Sequence, residues 1–209
     1  MKLYDCHPAP NPRRVRIFIA EKGLDIPTVQ VDLPGREQHT EEFRRLNPLC
    51  DVPVLALDDG SHISQVNGIC RYLETAFPEP NLYGTDPKEQ GQIAMWDNFA
   101  ANQGLSAVAD AFRNTAKSFA ERAVLGSRPY PQIPELAERG KNRTLDFMED
   151  LNNYLAERKY IANDRFSAAD ITTLVALDFA KWIKVEIDPS HNHLQRWYDT
   201  VSSRPSAKA

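Results

Sequence analysis

The sequence predicts a small α/β domain followed by an all-helical domain, and two observations lead to this prediction. Up to about residue 80, short segments typical of strands alternate with segments of helical period, in the order β-α-β-α-β-β-α. After the proline-rich stretch PEPNLYGTDP the strand signals disappear and long helical stretches follow. We therefore expect a first domain over residues 1–80, a linker over 81–86 and a helical domain over 87–209.

The elements of the first domain are recognised by their composition and their boundary residues. KLYD and the β-branched segment PTVQVDL (27–33) are predicted strands, and residues 12–22 between them are a predicted helix. Asn11 is the expected N-cap of this helix, Pro12 fits its first position and Gly23 closes it. TEEFRRLNP predicts a short helix, VPVLAL and HIS flank the turn DDGS as a hairpin, and QVNGICRYLETAF predicts a further helix.

The second half contains long helical stretches with apolar stripes. They are expected at about 87–116, 132–157, 168–185 and 190–203. A proline-broken connection, SRPYPQIP (127–134), separates the first two. Ser167 and Asp170 have the spacing of a capping box, so we interpret this serine and this carboxylate as structural and not catalytic.

Composition excludes several classes of protein. The chain has 209 residues, of which 42% are apolar and 26% charged, as in ordinary globular proteins. A net charge of −4 without a basic run argues against a general nucleic-acid binder, and no stretch approaches the roughly 18 apolar residues of a membrane span. Three cysteines without a CxxC pair predict neither a disulfide framework nor a metal site. We expect a soluble, cytoplasmic protein with reduced thiols.

Motifs in both halves resemble those of one family. MKLYDCHPAPNPRRVRIFIAEKGL, EEFRRLNPLCDVPVL, ISQVNGICRYLE, FSAADITTLVALDFAKW and LQRWYDTVSSRPS follow one another in the order found in the cytosolic glutathione S-transferases of bacterial type. The resemblance runs from end to end and implies a thioredoxin-like first domain in front of the helical one. It also implies glutathione as co-substrate, no metal, a role in detoxification, and a homodimer.

The resemblance assigns glutathione-binding roles to particular residues. Val52 stands where the family places a residue that exchanges two backbone hydrogen bonds with the cysteinyl part, before a cis bond to Pro53. The γ-glutamyl end would meet Gln65 and Val66 at a helix start, although the family usually has serine where Val66 stands. His39 lies where the family carries a donor for the glycyl carboxylate.

The group that activates the glutathione thiol is left open by the sequence. The resemblance aligns Ala9 with the family's hydroxyl residue and places it at the glutathione thiol, while Cys6 falls three residues too early to be a redox cysteine. Candidates for activation are Asn11, which can donate its side-chain amide, Tyr4 in the first strand, and the positively charged Arg13. The loop is therefore expected to hold the sulfur of glutathione and not to supply its own.

The leading interpretation is a transferase that joins the glutathione thiolate to a small hydrophobic electrophile. Candidate residues for the electrophile pocket are Trp96, Phe99, Asn102 and Phe112. Two alternatives stay open: a glutathione-dependent peroxidase or disulfide reductase, and a non-catalytic binding protein of the same fold. Aromatic residues and Arg71 in RYLETAF and IAMWDNF add a modest indication of a dimer contact.

Overall fold

The computed structural model describes residues 1–209 and divides into two compact units. The first unit consists of Met1–Pro80, Val124–Pro129 and Ala209, and the helical unit consists of Asn81–Ala123 and Tyr130–Lys208. No helix in either unit has the length and apolar character that a membrane crossing requires.

A four-stranded sheet of order β2-β1-β3-β4 forms the centre of the first unit. Its strands are β1 (Lys2–Asp5), β2 (Thr28–Gln30), β3 (Val54–Ala56) and β4 (His62–Ser64). β1 runs parallel to β2 and antiparallel to β3, and β3 and β4 form an antiparallel hairpin. The strand expected over 27–33 is shorter than predicted because Asp32 enters a turn, in which its backbone N–H donates to Glu37 at 2.7 Å.

Three helices complete the first unit in the predicted order. They are α1 (Pro10–Glu21), α2 (Glu41–Leu46) and α3 (Val66–Ala76). The apolar stripe of α1 is buried against the rest of the unit, with Val15 at 0% and Phe18 at 1% exposure. α1 and α3 pack against each other, and the element order β-α-β-α-β-β-α is confirmed.

The two ends of α1 differ in how well the sequence predicts them. Gly23 adopts φ +63° and donates to Ala20 at 3.0 Å, so the predicted glycine ending is confirmed. The expected N-cap, Asn11, is wrong, because the helix begins at Pro10 and its N-cap is Ala9. Pro10 takes the first helical position, which the sequence predicts for Pro12, and Pro12 is the third residue of the helix. Both positions accept proline, since the N–H groups there have no partner in the helix.

The helical unit contains five helices. They are α4 (Pro87–Phe99), α5 (Ser106–Arg113), α6 (Pro134–Tyr154), α7 (Ala168–Ala180) and α8 (Asn192–Ser202). A π-helical turn over Ala100–Leu105 joins α4 to α5, where the sequence predicts one uniform helix over 87–116. In this turn Gly104 permits close packing, because a Cβ there would lie 2.7 Å from the Phe147 ring. Short 3₁₀ turns occur at Glu37–His39, Lys117–Phe119, Leu155–Glu157, Lys181–Ile183 and Pro205–Lys208.

Helix α7 is almost completely buried and begins at the predicted capping box. Ser167 and Asp170 make the reciprocal bonds of that motif, which confirms the structural interpretation. The Asp170 carboxylate also accepts from the Ile161 N–H at 3.0 Å and from the Trp197 Nε1 at 2.9 Å. Burial raises the pKa of Asp170 to about 6, against the opposing effect of these donors.

Candidate active site

One edge of the sheet collects the segments that carry the predicted site residues. Tyr4 of β1 lies opposite Val54 of β3, which in turn lies opposite Ser64 of β4. Because β3 runs against both neighbours, the chain leaves β1 and β4 at the edge where it enters β3. The loop before α1, the segment before β3 and the start of α3 therefore meet at this edge.

The segment before β3 presents unpaired backbone groups. The Val52–Pro53 peptide bond is cis, as the resemblance implies. The Val52 side chain is buried in an apolar cluster with Val31, Phe43 and Val54, while its backbone N–H and C=O have no hydrogen-bond partner in the chain. A buried side chain thus fixes a backbone that can still exchange two hydrogen bonds with an extended peptide.

A buried asparagine organises this segment, and the sequence interpretation gave it no role. Asn47 is 1% exposed, and its Nδ2 donates to the backbone O of Asp51 at 2.8 Å and to Asp51 Oδ1 at 2.6 Å. The other carboxylate oxygen of Asp51 accepts from Gln65 Nε2 at 2.9 Å. Asn47 and Asp51 therefore connect the Val52 segment to the start of α3. The Asn-Pro pair in the quoted motif is the only sequence signal for them.

The start of α3 has the properties of an anion-binding site. Gln65 precedes the helix with φ +68°, a backbone conformation that non-glycine residues rarely adopt and that often occurs at functional sites. No side chain caps the helix, so the backbone N–H groups of Val66 and Asn67 lack a partner in the chain. The Val66 side chain is buried, and this residue can therefore offer only its backbone N–H.

The start of α1 offers one backbone donor and one free amide. Pro10 and Pro12 have no N–H, and the Arg13 N–H is already bonded to Ala9 O at 3.2 Å. The backbone N–H of Asn11 is therefore the unpaired donor of this first turn. The side-chain amide of Asn11 also has no partner in the chain, since it does not serve as the N-cap.

Tyr4 and Cys6 lie on the apolar side of this region. Both pack against the cluster that contains Val52, and the Tyr4 ring meets the Phe43 ring edge to face at 6.3 Å between centroids. Burial, and then the charge of Asp5, raise the pKa of the Cys6 thiol above its usual range. Cys6 therefore stays a protonated thiol at neutral pH, which disfavours a nucleophilic role.

Cys6→Ser should keep most of the activity, within about threefold of the unmodified protein. The thiol precedes the α1 N-cap by three residues and contacts an apolar cluster. Initial rates with glutathione check this expectation. A loss of about a hundredfold in a folded variant would instead indicate mixed-disulfide chemistry at Cys6.

His39 lies in the loop that leaves β2 at the same edge of the sheet. It ends the turn Glu37–His39, is half-buried, and accepts from Arg44 Nε at 3.0 Å through its backbone carbonyl. Its assignment to the glycyl carboxylate stays a prediction.

The four electrophile-pocket candidates fall into different environments of the helical unit. Trp96 stacks on Tyr154 at 3.9 Å between centroids and contacts Phe99 at 5.3 Å. Asn102 is exposed and donates to Asn98 at 2.9 Å. Phe112 belongs to a second aromatic cluster, whose other members are Phe119, Phe179 and Trp182.

Comparisons with known proteins give the same family for both halves of the chain. A model of the glutathione S-transferase N-terminal domain matches residues 9–76, and a model of the C-terminal domain matches residues 115–205. Glutathione S-transferase 2 of Saccharomyces cerevisiae is 33% identical over 210 residues, a match that covers 100% of this chain and 88% of the relative.

Solved structures agree over the full length. A glutathione S-transferase domain-containing protein of Marinobacter aquaeolei VT8 superimposes with a TM-score of 0.91 and 40% identity, covering 99% of both chains. Gtt2 of Saccharomyces cerevisiae gives a TM-score of 0.90 and 34% identity, covering 100% of this chain and 99% of that one. The predicted fold, a thioredoxin-like α/β domain followed by an all-α domain, is confirmed. The chain belongs to the glutathione S-transferase family.

Proposed function

We propose that the protein binds glutathione in its first unit and transfers the glutathione thiolate to a small hydrophobic electrophile. The observation that supports this function is the set of unpaired backbone groups at one sheet edge, contributed by Asn11, Val52, Val66 and Asn67. Helix starts leave N–H groups without a partner in the helix, and at this edge two such starts lie beside an unpaired extended segment, an arrangement that suits an extended peptide with carboxylate ends. Membership of the family agrees with this proposal.

Each part of an extended tripeptide has a matching group at this edge. The α-carboxylate of the γ-glutamyl end would accept from the N–H groups that open α3, where the helix dipole favours negative charge. The cysteinyl backbone would pair with Val52, and the glycyl carboxylate would meet His39. The glutathione thiol would then point to Ala9 and Asn11 at the start of α1.

Activation of the thiol in this proposal depends on Asn11. Its backbone N–H and side-chain amide would donate to the sulfur, and both bonds are stronger with a thiolate than with a thiol. The proton would leave to solvent, because no side chain at the N-cap can take it. The sulfur then forms a bond to the electrophilic carbon, and the electron pair of the broken bond departs with the leaving group. Arg13 adds positive charge at the same helix start.

The electrophile would lie against aromatic side chains of the helical unit. Trp96, Phe99, Asn102 and Phe112 stay the proposed lining residues. Phe112 has an additional argument, since its neighbour Trp182 exposes 48% of its surface and contacts it at 5.3 Å between centroids. An exposed indole supported by other rings suits a flat apolar substrate.

A turnover assay separates the transferase from its alternatives. The purified protein is incubated with glutathione and, in turn, a chloronitrobenzene, an organic hydroperoxide and a small disulfide. We expect conjugation with release of chloride. Turnover of the hydroperoxide or the disulfide alone would favour the reductase, and glutathione binding without any turnover would favour a non-catalytic binding protein.

We also propose a cytoplasmic homodimer with a role in detoxification. Met95 on α4 is the most exposed of the large hydrophobic side chains, at 56%, and a two-fold arrangement is the commonest symmetry. Trp96 gives no support for a dimer contact, because its ring packs against Tyr154 of its own unit. Light scattering after size exclusion should give about twice the 23.7 kDa chain mass. A single-chain mass at all concentrations would refute the dimer.

A further inference from the structure

A closed ring of hydrogen bonds holds the peptide of His7, in the loop between β1 and α1. Gln30 Oε1 accepts from the His7 N–H at 2.9 Å, and Arg16 NH2 donates to the His7 carbonyl at 2.8 Å. Both side chains also bind Asp5, Arg16 NH1 at 2.5 Å and Gln30 Nε2 at 2.6 Å. The Asp5 carboxylate therefore orients both the Gln30 side chain, which binds the His7 N–H, and the Arg16 side chain, which binds the His7 carbonyl. We name Asp5, Arg16 and Gln30 the His7 clamp.

We propose that the His7 clamp positions the start of α1 for thiol activation, an inference that rests on the proposed function. Asp5, Arg16 and Gln30 are positioning residues in this proposal, because none of them faces the sulfur itself. They act through His7 and Cys6 on the residues that follow.

The connection from the clamp to the sulfur site is short. The Ala9 N–H donates to the Cys6 carbonyl at 2.8 Å, which closes a tight turn around His7. Ala9 is the N-cap of α1, and Asn11 lies two residues further. A shift of the His7 peptide would therefore be transmitted through Ala9 to the unpaired N–H of Asn11.

Two of the three clamp residues are buried, which indicates that the clamp fixes local geometry, while Gln30 is exposed. The Asp5 side chain is 1% exposed and that of Arg16 is 10% exposed. A buried ion pair gives little net stability, because the desolvation of both charges opposes their attraction. Such a pair holds its surroundings in one arrangement when further hydrogen bonds support it, and here Gln30 binds the carboxylate while Arg16 NH2 binds His7, leaving only the buried Arg16 Nε without a partner.

The chemistry at Ala9 explains why this chain needs the clamp. A serine hydroxyl at this position could rotate to follow the sulfur, but alanine offers no side-chain donor. The remaining backbone donor moves only with the loop that carries it. Misplacement by about 1 Å can reduce a rate by about a hundredfold, so the loop itself has to be held.

Two substitutions test the clamp through the rate and the Michaelis constant. Gln30→Met removes the bonds to His7 and Asp5 at a residue that is exposed, and Arg16→Lys keeps the charge beside Asp5 but cannot reach both acceptors. In the transferase assay both should lower kcat by about tenfold or more, with the KM for glutathione within about threefold. Arg45→Lys is the matched control, since the Arg45 side chain is 79% exposed.

Hydrogen exchange on the free protein supplies an independent readout. Gln30→Met should accelerate exchange at the Ala9 amide, which donates to the Cys6 carbonyl at 2.8 Å, while the amides in the centre of α1 stay protected. An active unmodified protein whose two variants keep kcat and exchange unchanged would overturn the clamp alone. An unmodified protein without glutathione turnover would overturn the proposed function, and the clamp with it.

Discussion

Asp170→Ala should lower the free energy of unfolding by about 3–5 kcal/mol. The substitution removes the acceptor of four buried donors, namely the Ile161 N–H, the Trp197 Nε1, and the N–H and hydroxyl of Ser167. Each unsatisfied buried group costs about 1–3 kcal/mol, and the α7 capping box is lost as well. Urea unfolding followed by circular dichroism measures the effect. Asp164→Ala, at an exposed neighbouring position, serves as the control.

The pH dependence of stability tests the same carboxylate. Because burial raises the pKa of Asp170 from 3.8 to about 6, the folded chain binds this proton more tightly than the unfolded chain. The associated stability is present below the unfolded pKa and is lost as pH rises through about 6. Between pH 3.8 and about 6, the free energy of unfolding of the unmodified protein should fall by up to about 1.4 kcal/mol per pH unit relative to that of Asp170→Asn. Parallel stability curves for the two proteins would contradict this account.

Asn11→Ala should lower kcat/KM for conjugation by roughly 10- to 100-fold. A hydrogen bond to a charged acceptor contributes about 1.5–3 kcal/mol, and the side chain of Asn11 has no competing partner in the chain. The pKa of the bound glutathione thiol should rise, since one donor to the thiolate is lost. Thiolate absorbance of the complex as a function of pH measures this change.

Two further variants separate donation from local structure at this position. Asn11→Ser keeps a donor and should retain part of the rate, whereas Asn11→Asp places a negative charge beside the sulfur and should be the slowest. All three replacements are compatible with the second position of a helix, where the backbone N–H needs no partner. Equal rates in all variants would exclude Asn11 from thiol activation.

The sequence was sufficient to predict the element order, because local signals mark most boundaries in this chain. Gly23 ends α1 through its positive φ, and the Ser167 and Asp170 pair opens α7. The Thr40 N-cap of α2, which accepts from the Phe43 N–H at 3.2 Å, is equally local. Such signals lie within a few residues of the boundary that they specify, and sequence reading can find them.

The start of α1 could not be predicted, because several favourable choices compete there. Asn11 is a better N-cap residue than Ala9 by intrinsic preference, yet the chain is already helical at Pro10. The bonds of the preceding loop agree with the earlier start: the Ala9 N–H donates to the Cys6 carbonyl at 2.8 Å, and Arg16 and Gln30 bind His7. The position of the N-cap matters for function, since it determines whether the Asn11 side-chain amide is free to bind a ligand.

The connections that organise the candidate site are also invisible in the sequence pattern. Asp51 binds Gln65 across fourteen positions, and Asp5 binds Gln30 across twenty-five. Polar residues of this kind have no periodicity, and only the sheet register brings them together. For the same reason the aromatic residues of α4 and α5 could be identified as apolar, but their division into two clusters could not be foreseen.

A calorimetric titration of the protein with glutathione tests the central claim most directly. We expect saturable binding, with an affinity that Gln65→Ala lowers by about tenfold, because this substitution removes the bond to Asp51 that orients the start of α3. Gln65→Asn keeps an amide and tolerates a positive φ, so it should lose less. Absence of any binding heat at millimolar glutathione would contradict the account.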